Sequence, residues 1–191
     1  RNINTPGSSG ILMNSISGTE IISNRISGNR VGITTGTPVQ SFSINNNIFG
    51  LTLTAGVQGN TTNALNLAGG ASAGAIVSNT IANTGGVGIN ILGGTILISD
   101  NSIYCNLGGG ITRSGAPPAA PIITYASTQE IRGTAAVGRV IEIFSHSTTG
   151  CTAAPCQGKT LLGTVTTPAT GIWVLNLAAG QITAGTQITA T

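Results

Sequence analysis

One frame constrains this chain more than any other feature: an Ile or Ser, an Asn three positions later, and an Ile two positions after that. It recurs as Ile11-x-x-Asn14-x-Ile16, Ile21-x-x-Asn24-x-Ile26, Ser43-x-x-Asn46-x-Ile48, Ile76-x-x-Asn79-x-Ile81 and Ile98-x-x-Asn101-x-Ile103. The step from Asn24 to Asn46 equals the step from Asn79 to Asn101, and the step from Asn46 to Asn79 is one and a half times as long. The shared step, roughly 22 residues rich in β-branched types and turn formers, has the size of one coil of a parallel β-helix. Asn14 precedes Asn24 by less than half of that step and is assigned to another side of its coil. Each unit adds a further short strand after a glycine, at Gly32-Ile33, Gly88-Ile89-Asn90-Ile91 and Gly110-Ile111.

Stacking explains why Ile and Asn share one frame. Coils stack at roughly 4.8 Å, so equivalent residues lie above one another and Ile columns fill the interior. Identical Asn side chains at a turn can hydrogen-bond up and down the stack, which predicts a structural ladder of Asn14, Asn24, Asn46, Asn79 and Asn101. A charge in such a column would repel its own copies. This matches the composition, in which only 6% of the 191 residues are charged while 40% are hydrophobic.

That balance excludes a disordered chain. The pI near 9.1 reflects few charges of either sign, seven Lys plus Arg against four Asp plus Glu, and does not mark a nucleic-acid surface. Mean hydropathy is +0.33, yet no apolar run reaches the roughly 18 residues of a membrane span.

The grammar changes near Ser114–Pro118. Sixteen of the seventeen Asn lie at or before Asn106, and five of the seven Pro at or after Pro117. The chain therefore divides into β-helix repeats over residues 1–114, a stiff Pro-rich connector over 115–121, and a second domain over 122–191. Strands are expected there at Pro121–Ala126, Glu130–Ala135, Arg139–Ser145, Thr160–Thr166, Gly171–Leu177 and Gln187–Thr191, the spacing of a small sandwich. Trp173, Leu175 and Leu177 share one face, as do Ile141 and Ile143, so these form its core, with Trp173 an anchor and not a sugar-stacking platform. The chain begins at Arg1 and stops inside its last strand, which reads as a piece of a longer or processed polypeptide.

Asn101-Ser102-Ile103-Tyr104, Leu107-Gly108-Gly109-Gly110-Ile111, Glu142-Ile143-Phe144-Ser145, Gln157–Gly163 and Thr186–Thr191 together resemble bacterial secreted proteins in which right-handed parallel β-helix repeats precede an Ig-like module. Such units often belong to very long surface proteins, including gliding-motility adhesins and other cargo of type IX secretion. The resemblance implies an all-β chain, a right-handed parallel β-helix of about four to five coils followed by an Ig-like β-sandwich, located outside the cell. It implies no particular activity.

Three cysteines are present. Cys151 and Cys156 bracket Thr-Ala-Ala-Pro in a hairpin loop and are expected to pair as a disulfide, worth on the order of 2 kcal/mol. Cys105 reads as a small buried apolar residue. No cofactor or metal site is expected: zinc would need two ligands beyond these cysteines, and only His146 is near them in sequence.

Many β-helix proteins cleave polysaccharides, and hydrolysis needs two carboxylates about 5–10 Å apart. Within residues 1–114 the acids are Glu20 and Asp100, three to four coils and some 15–20 Å apart at roughly 4.8 Å per coil. Arg25, Arg30 and Arg113 stay protonated and cannot readily serve as bases. Thr52-Leu53-Thr54 has the alternation of an ice-binding array, but its Thr do not recur in the repeated frames. The expectation is a non-enzymatic extracellular structural or adhesive protein, part of a large adhesin or filament; the alternative is a polysaccharide lyase or hydrolase whose active site lies outside this segment. Open β-helix ends without an amphipathic cap point to self-association or a longer polypeptide as partner, with a glycan or surface ligand as the other candidate.

Overall fold

The computed structural model describes residues 8–36, 39–54, 56–146 and 157–191, and among them every regular element is a strand. The chain divides into two compact units between Pro117 and Pro118.

The first unit is a parallel β-solenoid of about four turns with four walls. The first wall stacks Ser9–Met13, Val31–Thr35, Leu65–Leu67, Ile89–Ile91 and Ile111–Arg113 in chain order. The second stacks Ile16–Ser17, Val39–Gln40 and Ala71–Ser72. The third stacks Glu20–Ile22, Ser43–Asn45, Gly74–Val77 and Ile96–Ser99, and the fourth Arg25–Ile26, Ile48–Phe49, Thr80–Ala82 and Ser102–Tyr104.

Register turns the sequence frame into columns. Ile11, Ile33, Leu65, Ile89 and Ile111 stack on the first wall, and the step from Ile33 to Leu65 is much longer than the other three. Ile21, Ile44, Ile76 and Ile98 stack on the third, and Ile26, Phe49, Ile81 and Ile103 on the fourth. Apart from Ile111, which is exposed, these columns form one continuous core that also takes in Phe42, so Phe42 and Phe49 are interior and offer no sugar platform.

The long step is one coil with an insertion, which corrects the reading of the Asn46 to Asn79 spacing as one and a half units. The fourth wall and the corner after it are separated by three residues from Ile26 to Asn29, Ile81 to Thr84 and Ile103 to Asn106, but by eleven from Phe49 to Asn60. Eight extra residues therefore leave the second coil as an excursion while the stack continues beneath it.

The second unit contains two three-stranded antiparallel sheets. One joins Ile122–Ala126, Glu130–Thr134 and Ile172–Asn176; the other joins Thr160–Thr166, Val140–His146 and Gln187–Ala190. All six strands lie within one or two residues of the sequence expectation. Ile131 and Trp173 of the first sheet meet Ile141 and Ile143 of the second in one core, with Leu175 and Leu177 packed against it. Trp173 is 1% exposed, the core anchor expected of it.

Candidate functional site: amide ladders, cysteine and a coil excursion

The predicted Asn ladder forms at Asn24, Asn79 and Asn101, but its remaining rung is Asn47 and not Asn46. The Asn24 backbone N–H and Nδ2 both donate to Asn47 Oδ1, at 2.9 and 3.2 Å. Asn47 repeats the pattern onto Asn79 Oδ1 at 2.9 and 3.1 Å, and Asn79 onto Asn101 Oδ1 at 3.0 and 2.9 Å. Each Nδ2 also reaches the preceding coil, from Asn47 to Ile21 O at 2.7 Å, Asn79 to Ile44 O at 2.9 Å and Asn101 to Ile76 O at 2.7 Å. One side chain thus satisfies backbone groups of two coils at a corner where strand pairing has stopped.

The slip of one residue has a backbone cause. The position before every rung is left-handed: Ser23 at φ 59°, Asn46 at 54°, Ser78 at 55° and Asp100 at 56°. A single left-handed residue turns the chain through the corner and points its successor inward. Asn tolerates that conformation, so in Asn45-Asn46-Asn47 the middle residue bends and the last one bonds. Asn14 lies outside the ladder altogether: it is exposed, and the next position in its column is Gly36, which has no side chain to continue one.

A second ladder, which the sequence reading missed, closes the following corner. Asn29 N–H and Nδ2 donate to Asn60 Oδ1 at 3.2 and 3.3 Å, and Thr84 N–H and Oγ1 donate to Asn106 Oδ1 at 3.1 and 2.9 Å. All four residues are buried. The signal was Ile26-x-x-Asn29 and Ile103-x-x-Asn106, hidden because the excursion separates Phe49 from Asn60 and because Thr replaces Asn at position 84.

Cys105 sits at the left-handed position before Asn106, φ 55°, where Asn83 and Gly28 occupy the same corner in other coils. It is half-buried and disulfide-bonded, which corrects its reading as an inert apolar residue. Cys151 and Cys156 lie outside the described residues.

The two solenoid acids are far apart. Glu20 stands in the first coil, in an outward column with Ser43, Ala75 and Leu97, whereas Asp100 occupies the corner of the fourth. Three coil steps separate them, roughly 14 Å along the axis at about 4.8 Å each. Asp100 accepts a hydrogen bond from Ser99 Oγ at 3.1 Å. Among the described residues no three His, Cys, Asp or Glu side chains gather as a metal site, and no helix is long and apolar enough to cross a membrane.

The excursion is the longest departure from the repeat among the described residues. It leaves and returns through Gly50 and Gly59; a Cβ at Gly50, φ 79°, would overlap Ala82 O, and one at Gly59 would overlap Asn83 O. Gln58 N–H closes the neck on Gly50 O at 3.0 Å, and Thr52 N–H bonds Gly56 O at 2.8 Å. Leu51 and Val57 bridge antiparallel, Thr52 Oγ1 accepts from Gly56 N–H at 2.9 Å, and Arg25 Nη1 donates to Thr52 O at 2.8 Å. A shallow groove runs between the excursion and the fourth wall, lined by Arg25, Ser27, Leu51, Thr52, Leu53, Thr54 and Gln58.

The chain matches no protein-family model and no curated protein.

Proposed function

We propose that this chain is a non-enzymatic structural or adhesive element of a large extracellular protein or filament, a right-handed β-helix followed by an Ig-like module as in the gliding-motility adhesins it resembles. The observation that carries this reading is what repeats down the stack. The columns that fill the interior are aliphatic, those that close two of its corners are amide ladders, and both serve the stack itself. The separation of Glu20 from Asp100 supports it further, because paired-carboxylate chemistry needs about 5–10 Å.

Self-association follows from the edges. Among the described residues Ser9–Met13, Ile16–Ser17, Glu20–Ile22 and Arg25–Ile26 each end their wall, and such an edge supports pairing with another chain or coil. Light scattering of the purified chain is expected to show a mass that rises with concentration. Incubation with acidic and neutral polysaccharides is expected to release neither unsaturated nor reducing ends. A strictly monomeric chain overturns the assembly, and sugar release overturns the non-enzymatic reading in favour of a lyase or hydrolase.

A further inference from the structure

We infer that the groove between the second-coil excursion and the fourth wall is a binding site for a uronic-acid saccharide, with Arg25 as the group that holds its carboxylate. This rests on the adhesive reading and deepens it by naming a ligand class. The stack does not need the excursion: the eight extra residues leave and rejoin at one corner, where Gly50 and Gly59 pass against Ala82 O and Asn83 O. Insertions of this kind are where repeat proteins carry their binding faces.

The chemistry of the groove selects the ligand. Arg25 is exposed, and among the described residues no carboxylate pairs with it, unlike Arg132, which pairs with Glu130. Its Nη1 is tied to Thr52 O, which fixes the guanidinium and leaves its remaining N–H groups for a planar two-oxygen anion. Around it stand hydroxyl and amide groups suited to ring hydroxyls. Thr52 Oγ1 accepts from Gly56 N–H and lies 3.2 Å from Thr54 Oγ1; Ser27 Oγ lies 3.5 Å from Gln58 Oε1. Leu53, 85% exposed at the tip, supplies an apolar lip for the C–H face of a sugar. An anion alone would use Arg25; a sugar bearing one uses the whole groove.

Calorimetric titration of the full chain with trigalacturonate, with the neutral galactose trisaccharide of the same linkage, and with glutarate tests this. Trigalacturonate is expected to bind at least 10-fold more tightly than either of the others. Arg25→Gln is expected to weaken it by 10-fold or more, Arg25→Lys by less, and removal of residues 51–57 to abolish it, each with an unchanged far-ultraviolet spectrum. Equal affinity for the neutral saccharide, equal affinity for glutarate, no binding of trigalacturonate, or indifference to Arg25→Gln overturns the site and leaves the adhesive reading standing. Cleavage of trigalacturonate by the chain overturns that reading and leaves the site standing.

Discussion

Both units are built on aliphatic cores, but they treat their buried polar groups in different ways. In the solenoid, corners that strand pairing cannot satisfy are closed by side-chain amides repeated from coil to coil, so one residue serves two turns of backbone. In the antiparallel unit each side chain serves its own place, and Trp173 Nε1, Thr167 Oγ1 and His146 Nδ1 are buried without partners; the solenoid contributes only Arg30 Nε to that set among the described residues. Repetition supplies a partner wherever the next coil carries the same residue. Without repetition, each buried donor needs its own solution.

The largest effect that sharpens this contrast is expected from Asn47→Gly. Its side chain holds Asn24 N–H, Ile21 O and Asn45 O, and donates to Asn79 Oδ1. Removing it strands groups in three coils, at about 1–3 kcal/mol for each that stays buried, so a loss of about 4 kcal/mol is expected. The chain's single tryptophan lies in the second unit. Denaturation followed by far-ultraviolet dichroism is therefore expected to shift, while the Trp173 fluorescence transition stays in place; a common shift of both would mean that the units unfold together.

The counterpart in the second unit is Gly133→Ala. A Cβ there would overlap the Trp173 ring and Ile122 O, and both are held by the strand pairing of Gly133 with Trp173 and Ile123. Overpacking a filled core costs about 2–3 kcal/mol. The Trp173 emission is expected to redden and its transition to move to lower denaturant, with the solenoid signal unchanged. An unshifted Trp173 transition would break the assignment of Trp173 as the core anchor.

A smaller effect separates the units by pH. His146 is buried, and burial first, then the nearby charge of Lys159, holds its pKa below the ordinary 6.5. Below pH 6.5 the unfolded chain binds a proton that the folded unit resists, so stability is full above 6.5 and falls as pH drops toward the folded pKa. The slope is bounded by one proton, about 1.4 kcal/mol per pH unit. The Trp173 transition measured between pH 7.5 and 5 is expected to show this loss and His146→Gln to flatten it, whereas the solenoid transition stays level. An equal slope in the variant would remove His146 from the account.

The same division governs how much was legible in the sequence. Columns are legible where they repeat cleanly: the Ile positions at 21, 76 and 98 and the strands after Gly32, Gly88 and Gly110 follow from spacing alone, whereas in the second coil the frame takes Ser43 and Ile48 and the structure stacks their neighbours Ile44 and Phe49. Strands of the second unit are legible because apolar residues alternate between turn formers, as at Trp173 and Leu175. What spacing misses is whatever breaks the period. The excursion concealed the second ladder by separating Phe49 from Asn60, and its groove has no motif, since Arg25 and Thr52 meet only through the fold. Among three consecutive asparagines the frame placed the rung at Asn46, one residue early, because that choice is made by backbone conformation and not by side-chain type.

The smallest expected effect tests that choice directly. Asn46→Gly replaces the left-handed corner residue, φ 54°, by the residue to which that conformation costs least. The relief of backbone strain is offset by the greater entropy that glycine brings to the unfolded chain, so the solenoid transition is expected to move by no more than about 0.5 kcal/mol in either direction. Asn46 and Asn47 are chemically identical neighbours, and a sequence frame that places the rung at 46 predicts the opposite ranking. A loss above about 2 kcal/mol from Asn46→Gly, with Asn47→Gly tolerated, would move the ladder back by one residue and turn the side chains of that corner to the other face. The predicted ranking instead leaves the corner column of Ser23, Asn46, Ser78 and Asp100 free to vary among residues that accept a left-handed bend, while the rung beside it does not vary.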